Sequence, residues 1–307
     1  MNYSDKKKRS LLLWGVGITF LLIFLFGIAK YFNPSSPLND TLLNRMKKVE
    51  TVSLIRVHLM KSVEMEKNAV IAITDEESLE FSDKSRAESA AVDLYLKQLI
   101  ALVDKGRMQD EKKLVNEFNT CWAELRKIDR VILELAVQNT NLKAASLSLG
   151  QGTLAIQRFE KALDDVMKSY PAGATNESRA LRLLFNSATS GLKIFNLHSS
   201  HIAEASDDIM DIIEKRMKEE EKTVSESLDE LSGIAGEKTR PGVLQAKKAF
   251  SEFMEVTAKV ITLSRQNSNV KSFELSLGRK RKIVAQCDEI LSAFQDIVRN
   301  RNFSATK

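Results

Sequence analysis

Apolar residues return every three or four positions along most of this chain, the spacing that lines one face of an α-helix. Leu114, Phe118, Cys121, Leu125, Ile128, Ile132 and Leu135 keep that rhythm, and so do Ala246, Ala249, Phe253, Val256, Val260 and Leu263. A second seam runs through Leu142, Ala145, Leu149, Gly152, Ile156, Phe159, Leu163 and Val166. Its counterpart runs through Val270, Phe273, Leu277, Lys280, Val284, Cys287, Leu291 and Phe294. Breaks at Thr74-Asp75, at Gly106, at Gln138–Asn141 and over 170–178 divide the pattern. Helices are expected over 38–73, 77–104, 109–138 and 141–169, then over 178–203, 205–232, 241–266 and 269–300. Pro34, Pro37, Pro171 and Pro241 all fall outside helix interiors, where proline would remove a backbone donor. Seams this long predict an all-α protein of helices packed nearly parallel.

The seams are written twice. QNTNLKAASLSLG begins at Gln138 and QNSNVKSFELSLG at Gln266, 128 residues later, with eight of the thirteen positions identical. Asn68 and Asn196, and Glu76 and Glu204, repeat at the same offset. The duplication predicts two tandem up-down four-helix bundles, 38–169 and 178–300, joined by a linker over 170–177. A helix of about thirty residues is about 45 Å long, whereas the nine residues from Tyr170 to Ser178 reach at most about 30 Å. Such a connection crosses sideways to a neighbouring bundle but does not climb one, so the two bundles are expected side by side.

The N-terminus adds a membrane element. A basic tail over 1–10, with Lys6, Lys7, Lys8 and Arg9, leads into Leu11–Ala29, nineteen residues without a charge. That run nearly spans a hydrocarbon core of about 30 Å, and the basic flank orients the tail to the cytoplasm. A cleaved signal peptide is the alternative, since Gly27 and Ala29 fit a small-x-small site, but the run exceeds a usual signal core. After a linker over 30–37, everything to the tail at 301–307 is expected outside the cytoplasm, on a single-pass protein of the inner membrane.

Composition fits a long-helix chain, with 43% hydrophobic and 28% charged residues and only 12 glycines. Of the net +5, the tail's four basic residues and Asp5 leave about +2 for the exported part. A nearly neutral body offers nucleic acid no footprint, and Arg279-Lys280-Arg281-Lys282 reads as the solvated start of a helix, with contact to anionic lipid as the alternative. No CxxC, HExxH, G-x-x-x-x-G-K-[ST] or G-x-S-x-G occurs, so neither catalysis nor a cofactor is expected.

The candidate binding residues follow from position. With a seam through Val49, Val52, Leu59, Val63 and Val70, Arg56 and Glu66 point inward, and a buried charge needs a partner, a groove or a ligand. Arg56 is the candidate contact for an anionic ligand; its other reading is a seam-edge arginine with its head in water. Gln138, Asn141, Gln266 and Asn269, with Asn139 and Asn267, read as duplicated turn chemistry, since Asn tolerates left-handed backbone and caps helix starts. A duplicated ligand site at the two turns is the alternative. Asn68 and Asn196 read as helix–helix polar contacts. Cys121 and Cys287 sit on seams in different expected bundles and read as small hydrophobes, with a disulfide conceivable only if the bundles touch there. His198, His201 and Glu204 share a helical face, but a trio lacking a second source of ligands is a weak metal site, and no metal is expected.

WAELRKIDRVILELAVQNTNLKAASLSLGQGTLAIQRFEKAL resembles the third and fourth helices of the four-helix-bundle sensor domain of methyl-accepting chemotaxis receptors. EKNAVIAITDEE resembles the end of that domain's first helix and the following turn. The resemblance covers 38–169 well and 178–300 more faintly. It implies an extracytoplasmic module that senses a small molecule such as an amino acid or organic acid, or a binding protein loaded with one. It also implies bundles that pair, here as an intrachain pseudo-dimer. The family's second membrane span and cytoplasmic signalling hairpin find no counterpart before RNRNFSATK. The expectation is therefore a sensor that signals through a transmembrane partner, against a structural scaffold of the cell envelope or a degenerate receptor fragment.

Overall fold

A computed structural model describes residues 37–106 and 108–300. The described residues are mostly helical, with no strand among them. In chain order the helices are α1 (Pro37–Ile71), α2 (Asp75–Asp104), α3 (Gln109–Ala136), α4 (Thr140–Leu147), α5 (Thr153–Ser169), α6 (Glu177–Ala203), α7 (Asp207–Ile234), α8 (Arg240–Gln266), α9 (Ser268–Leu275) and α10 (Arg281–Asn300). One π-helical turn, Ser148–Gly152, joins α4 to α5, and another, Ser276–Lys280, joins α9 to α10. Every expected helix is present, no end displaced by more than two residues. The local reasons are ordinary ones. Asp75, Glu76 and Glu77 open α2, and Asp207 and Asp208 open α7, where acidic groups complement the helix dipole. Thr74 Oγ1 accepts from the Glu77 amide, and Pro241 occupies the first turn of α8. The expected membrane span at 11–29 lies outside the described residues, among which no helix is long and apolar enough to cross a membrane.

The chain divides into two compact units. Of the described residues, the first holds 37–60, 88–122 and 286–300. Parts of α1, α2, α3 and α10 link there in a ring. His58 Nδ1 lies 2.5 Å from Glu88 Oε2, joining α1 to α2, and Trp122 Nε1 donates to Asp93 Oδ1 at 2.5 Å, joining α3 to α2. Arg56 binds Asp288 across α1 and α10, and a disulfide joins Cys121 of α3 to Cys287 of α10. Ile55, Leu59, Leu99, Phe118, Leu291 and Phe294 fill the interior.

The second unit holds 61–87 and 123–285. A core there is built from α4, α5, α6, α7 and α8, around Phe159, Ile194, Met217, Leu228, Val243 and Phe253. Packing there is close: a Cβ on Gly191 of α6 would lie 3.0 Å from Phe159 of α5, and one on Gly242 of α8 would lie 3.1 Å from Val166. Both glycines give α5 room against second-copy helices.

These contacts correct the expected grouping. The first copy's fourth helix packs with α6, α7 and α8, and the second copy's fourth helix binds α1 and α3 instead. Each set of three is completed by the other's last segment, so 38–169 and 178–300 do not pack as separate bundles. Apolar periodicity shows which face of a helix is buried but not against whom, and duplicated seams fit either way. The sideways crossing at 170–177 loses its premise too, because those residues join α5 and α6, which pack in one core. Cys121 and Cys287 are correspondingly not independent small hydrophobes, since the exchange brings them together.

The π-helical turns make a second correction. Leu149 and Leu277, placed on seams by their spacing, are 73% and 46% exposed. A π turn takes one residue more than an α turn, so the buried face slips by one position before it. Asn141, Ala144 and Ser148 are buried there rather than Leu142, Ala145 and Leu149, and Ser272 and Ser276 repeat the slip in the second copy.

Candidate functional site

The repeated QN(T/S)N element forms two elbows that grip each other. Asn139 (φ 50°, ψ 38°) and Asn267 (φ 54°, ψ 36°) are the non-glycine residues with left-handed backbone among those described. Each ends one helix and lets the next begin at once. The new helix starts are capped in trans. The Thr140 amide donates to Ser268 Oγ and the Ser268 amide to Thr140 Oγ1, both at 3.0 Å. The Asn141 amide donates to Asn269 Oδ1 at 3.1 Å and the Asn269 amide to Asn141 Oδ1 at 3.2 Å. Asn141 Nδ2 reaches Asn267 Oδ1 at 2.8 Å, and Asn269 Nδ2 reaches Asn139 Oδ1 at 2.9 Å. Asn139 Nδ2 then donates to Asp75 Oδ1, and Asn267 Nδ2 to the Glu204 carbonyl, tying each elbow to its copy's first turn. Hydrogen bonds from Lys143 and then Asn139 hold the Asp75 carboxyl below its usual range. Each copy of the repeated element supplies the other's caps.

Gln138 and Gln266 take a lesser part. Their side chains are exposed, while their carbonyls accept from Lys143 Nζ at 2.8 Å and Lys271 Nζ at 3.1 Å. Asn141 and Asn269 are brought together and spend their amides on each other's elbow, so the candidate residues of the two turns form one junction.

Beyond the elbows, each π-helical turn faces a buried polar centre. At the second, Lys280 Nζ donates to Asp129 Oδ1 at 2.5 Å and to Glu66 Oε2 at 2.7 Å. The three are 2%, 3% and 0% exposed respectively. Glu66 thus finds the partner its inward position demanded. Lys280 is not part of a solvated helix start; within RKRK it alone is buried, because the π turn swings it inward while Arg279 pairs with Glu124 at the surface. Burial pushes the Glu66 carboxyl above its usual range, opposed by Lys280 and by the Ser276 hydroxyl beside it. Glu66 Oε1 and Ser276 Oγ are both buried and make no hydrogen bond of ordinary geometry.

At the first π-helical turn the centre is neutral. His198 lies between Ser148, 2.9 Å from Nδ1, and Thr257, 3.1 Å from Nε2, with Phe253 stacked on its ring. Burial, with a smaller contribution from His201, pulls its pKa down to about 4. His201 Nδ1 lies 2.8 Å from Ser264 Oγ, and its Nε2 lies 3.1 Å from Glu214 Oε1, which Arg265 also binds. Glu204 turns away to accept from the Ala205 and Ser206 amides. His198, His201 and Glu204 therefore serve three separate arrangements.

Arg56 is about one-third exposed and held by Asp288 through two hydrogen bonds, 2.8 and 3.0 Å, with Gln295 Oε1 at 3.1 Å. Open grooves lie elsewhere. In the first unit one of about 540 Å³ is lined by Leu42, Arg45, Met46, Val49, Glu50 and Arg299. In the second, one of about 570 Å³ lies between Leu147 of α4 and Glu255, Ala258, Lys259, Thr262 and Leu263 of α8.

No family model matches the chain, no curated protein matches it as a relative, and no solved structure matches it.

Proposed function

We propose that the chain is a sensor or ligand-binding module of chemoreceptor type, anchored in the inner membrane through residues 11–29 and exposed in the periplasm. It takes a small anion, an amino acid or organic acid, and signals to a transmembrane partner; its duplicated halves act as an intrachain pseudo-dimer. The observation that carries this reading is the Arg56–Asp288 pair. Its guanidinium is reachable from solvent and already holds a carboxylate in two-pronged geometry. A ligand carboxylate competes for the same donors, and displacing Asp288 loosens α10 from α1, turning occupancy into a change of helix packing. The Cys121–Cys287 disulfide supports an exported location, since such bonds persist in oxidising compartments.

The test is a thermal-shift series on the full chain in detergent, with amino acids and organic acids as probes. A binder at 100 times its dissociation constant adds about 2.7 kcal/mol, and Arg56→Gln abolishes the shift. An unchanged melting temperature across the series overturns the reading and favours a structural scaffold of the envelope. One observation favours that second reading: Arg56, Glu66, Asn141 and Asn269 are all engaged by partners within the chain.

A further inference from the structure

The Lys280 centre holds more carboxylate than its cation balances. One ammonium faces two carboxyl groups in a site closed to solvent, and one oxygen of Glu66 makes no hydrogen bond of ordinary geometry. Two buried carboxylates on one lysine leave a net charge of −1, which a dry interior resists strongly. Transfer of a proton from Lys280 to Asp129 turns an ion pair into a free amine beside a carboxylic acid. Well-oriented intramolecular reactions reach effective molarities of about 10⁵–10⁸ M, and Lys280 Nζ is held 2.5 Å from Asp129 Oδ1. Glu66, 2.7 Å from the same nitrogen, is placed to relay the protons.

We propose that Lys280 and Asp129 condense to a side-chain amide, an intramolecular isopeptide bond, with Glu66 as the proton-transfer residue. Lys280 Nζ, as the amine, attacks Asp129 Cγ. Glu66 takes a proton from the attacking nitrogen and delivers one to the departing hydroxyl. The Nζ–Cγ bond forms, one Cγ–O bond breaks, and the oxygen leaves as water with two hydrogens that began on the ammonium. Glu66 ends as it began, and no oxidant or reductant takes part. The amide is uncharged, so condensation removes the buried ammonium and one buried carboxylate and leaves Glu66 as the one ionisable group of the three. It also ties together positions 151 residues apart, a covalent staple between the first copy's third helix and the second copy's π-helical turn.

Mass spectrometry of the full chain, reduced and denatured, tests this without regard to folding. The expected wild-type mass is one water below that of the sequence, and digestion yields a branched peptide joining Asp129 to Lys280. Lys280→Arg and Asp129→Ala restore the full mass, and Glu66→Gln leaves a larger uncondensed fraction at equal age. A wild-type chain at full mass with linear peptides over both positions overturns the proposal and leaves an ion-paired centre only. Loss of a water that persists in Lys280→Arg overturns it equally, and a branch to Glu66 overturns the roles assigned to the two carboxyls.

Discussion

The two polar centres occupy one position of the repeat and solve it with opposite chemistry. An offset of 128 residues sets Glu66 against Ile194, Asp129 against Thr257, Lys280 against Gly152 and Ser276 against Ser148, while Val70 faces His198. One copy carries an ammonium and two carboxyls; the other carries an imidazole between two hydroxyls. Both surround a π-helical turn, so the backbone device is common and its filling is not. A wide turn leaves room in a helix interface that a side chain must satisfy, and each copy found a different polar solution after duplication. The sharpest way to break the comparison is Lys280→Met. Without Lys280, whether as cation or as amide partner, two buried carboxyls stand uncompensated, and a loss of about 3–5 kcal/mol is expected in denaturant unfolding. Adding Glu66→Ile and Asp129→Thr, the residues of the other copy, should recover most of that loss. If the triple variant is no more stable than Lys280→Met, the centre is held by packing rather than charge.

Acid separates the centres by sign. His198 titrates near 4 in the fold against 6.5 for an ordinary histidine, so the unfolded chain takes up the proton first. Stability from keeping it neutral is whole above pH 6.5, falls as pH drops from 6.5 to 4, and is flat below. At about 1.4 kcal/mol per unit the loss amounts to about 3 kcal/mol. Melting curves across that range should show the slope in the wild type and lack it in His198→Gln. Glu66 works the other way: its carboxyl is raised in the fold, so its contribution is fully present below pH 4.5 and is lost as pH rises through the raised value. The wild type should therefore gain on Glu66→Gln as the solution is acidified. Equal slopes for both variants and the wild type would dissolve the contrast.

Much of this was legible before any coordinates. Helix ends could be read from breaks such as Thr74-Asp75 and Gln138–Asn141, because local backbone chemistry decides them. The partner of each helix could not, because a seam of Leu, Phe and Val fits any similar seam. The signal for the exchange lies in the charges and cysteines that stand on the seams. Lys280 stood on a core seam and Glu66 pointed inward with no partner in its own copy, two buried charges of opposite sign that each needed the other. Cys121 and Cys287 carried the same message. The slip at Leu149 and Leu277 had a trace as well, since Asn141 and Ser148 form an equally regular polar row one residue earlier, and the π turn selects it.

The smallest expected effect falls on what the two regions share. Thr140 and Ser268 each cap the helix of the other copy, so either hydroxyl serves two starts: it accepts from the opposite amide and lies 3.1 Å from the opposite hydroxyl. Thr140→Ala and Ser268→Ala should each lower stability by about 1 kcal/mol, the usual worth of a helix cap. Because the groups form one reciprocal pair, the double variant should lose less than the sum of the singles, a coupling of about 0.5 kcal/mol or more in a double-mutant cycle. Two local, independent turns would give strict additivity. A junction that locks one copy to the other would not, and its loss would also lower hydrogen-exchange protection around the His198 and Lys280 centres together.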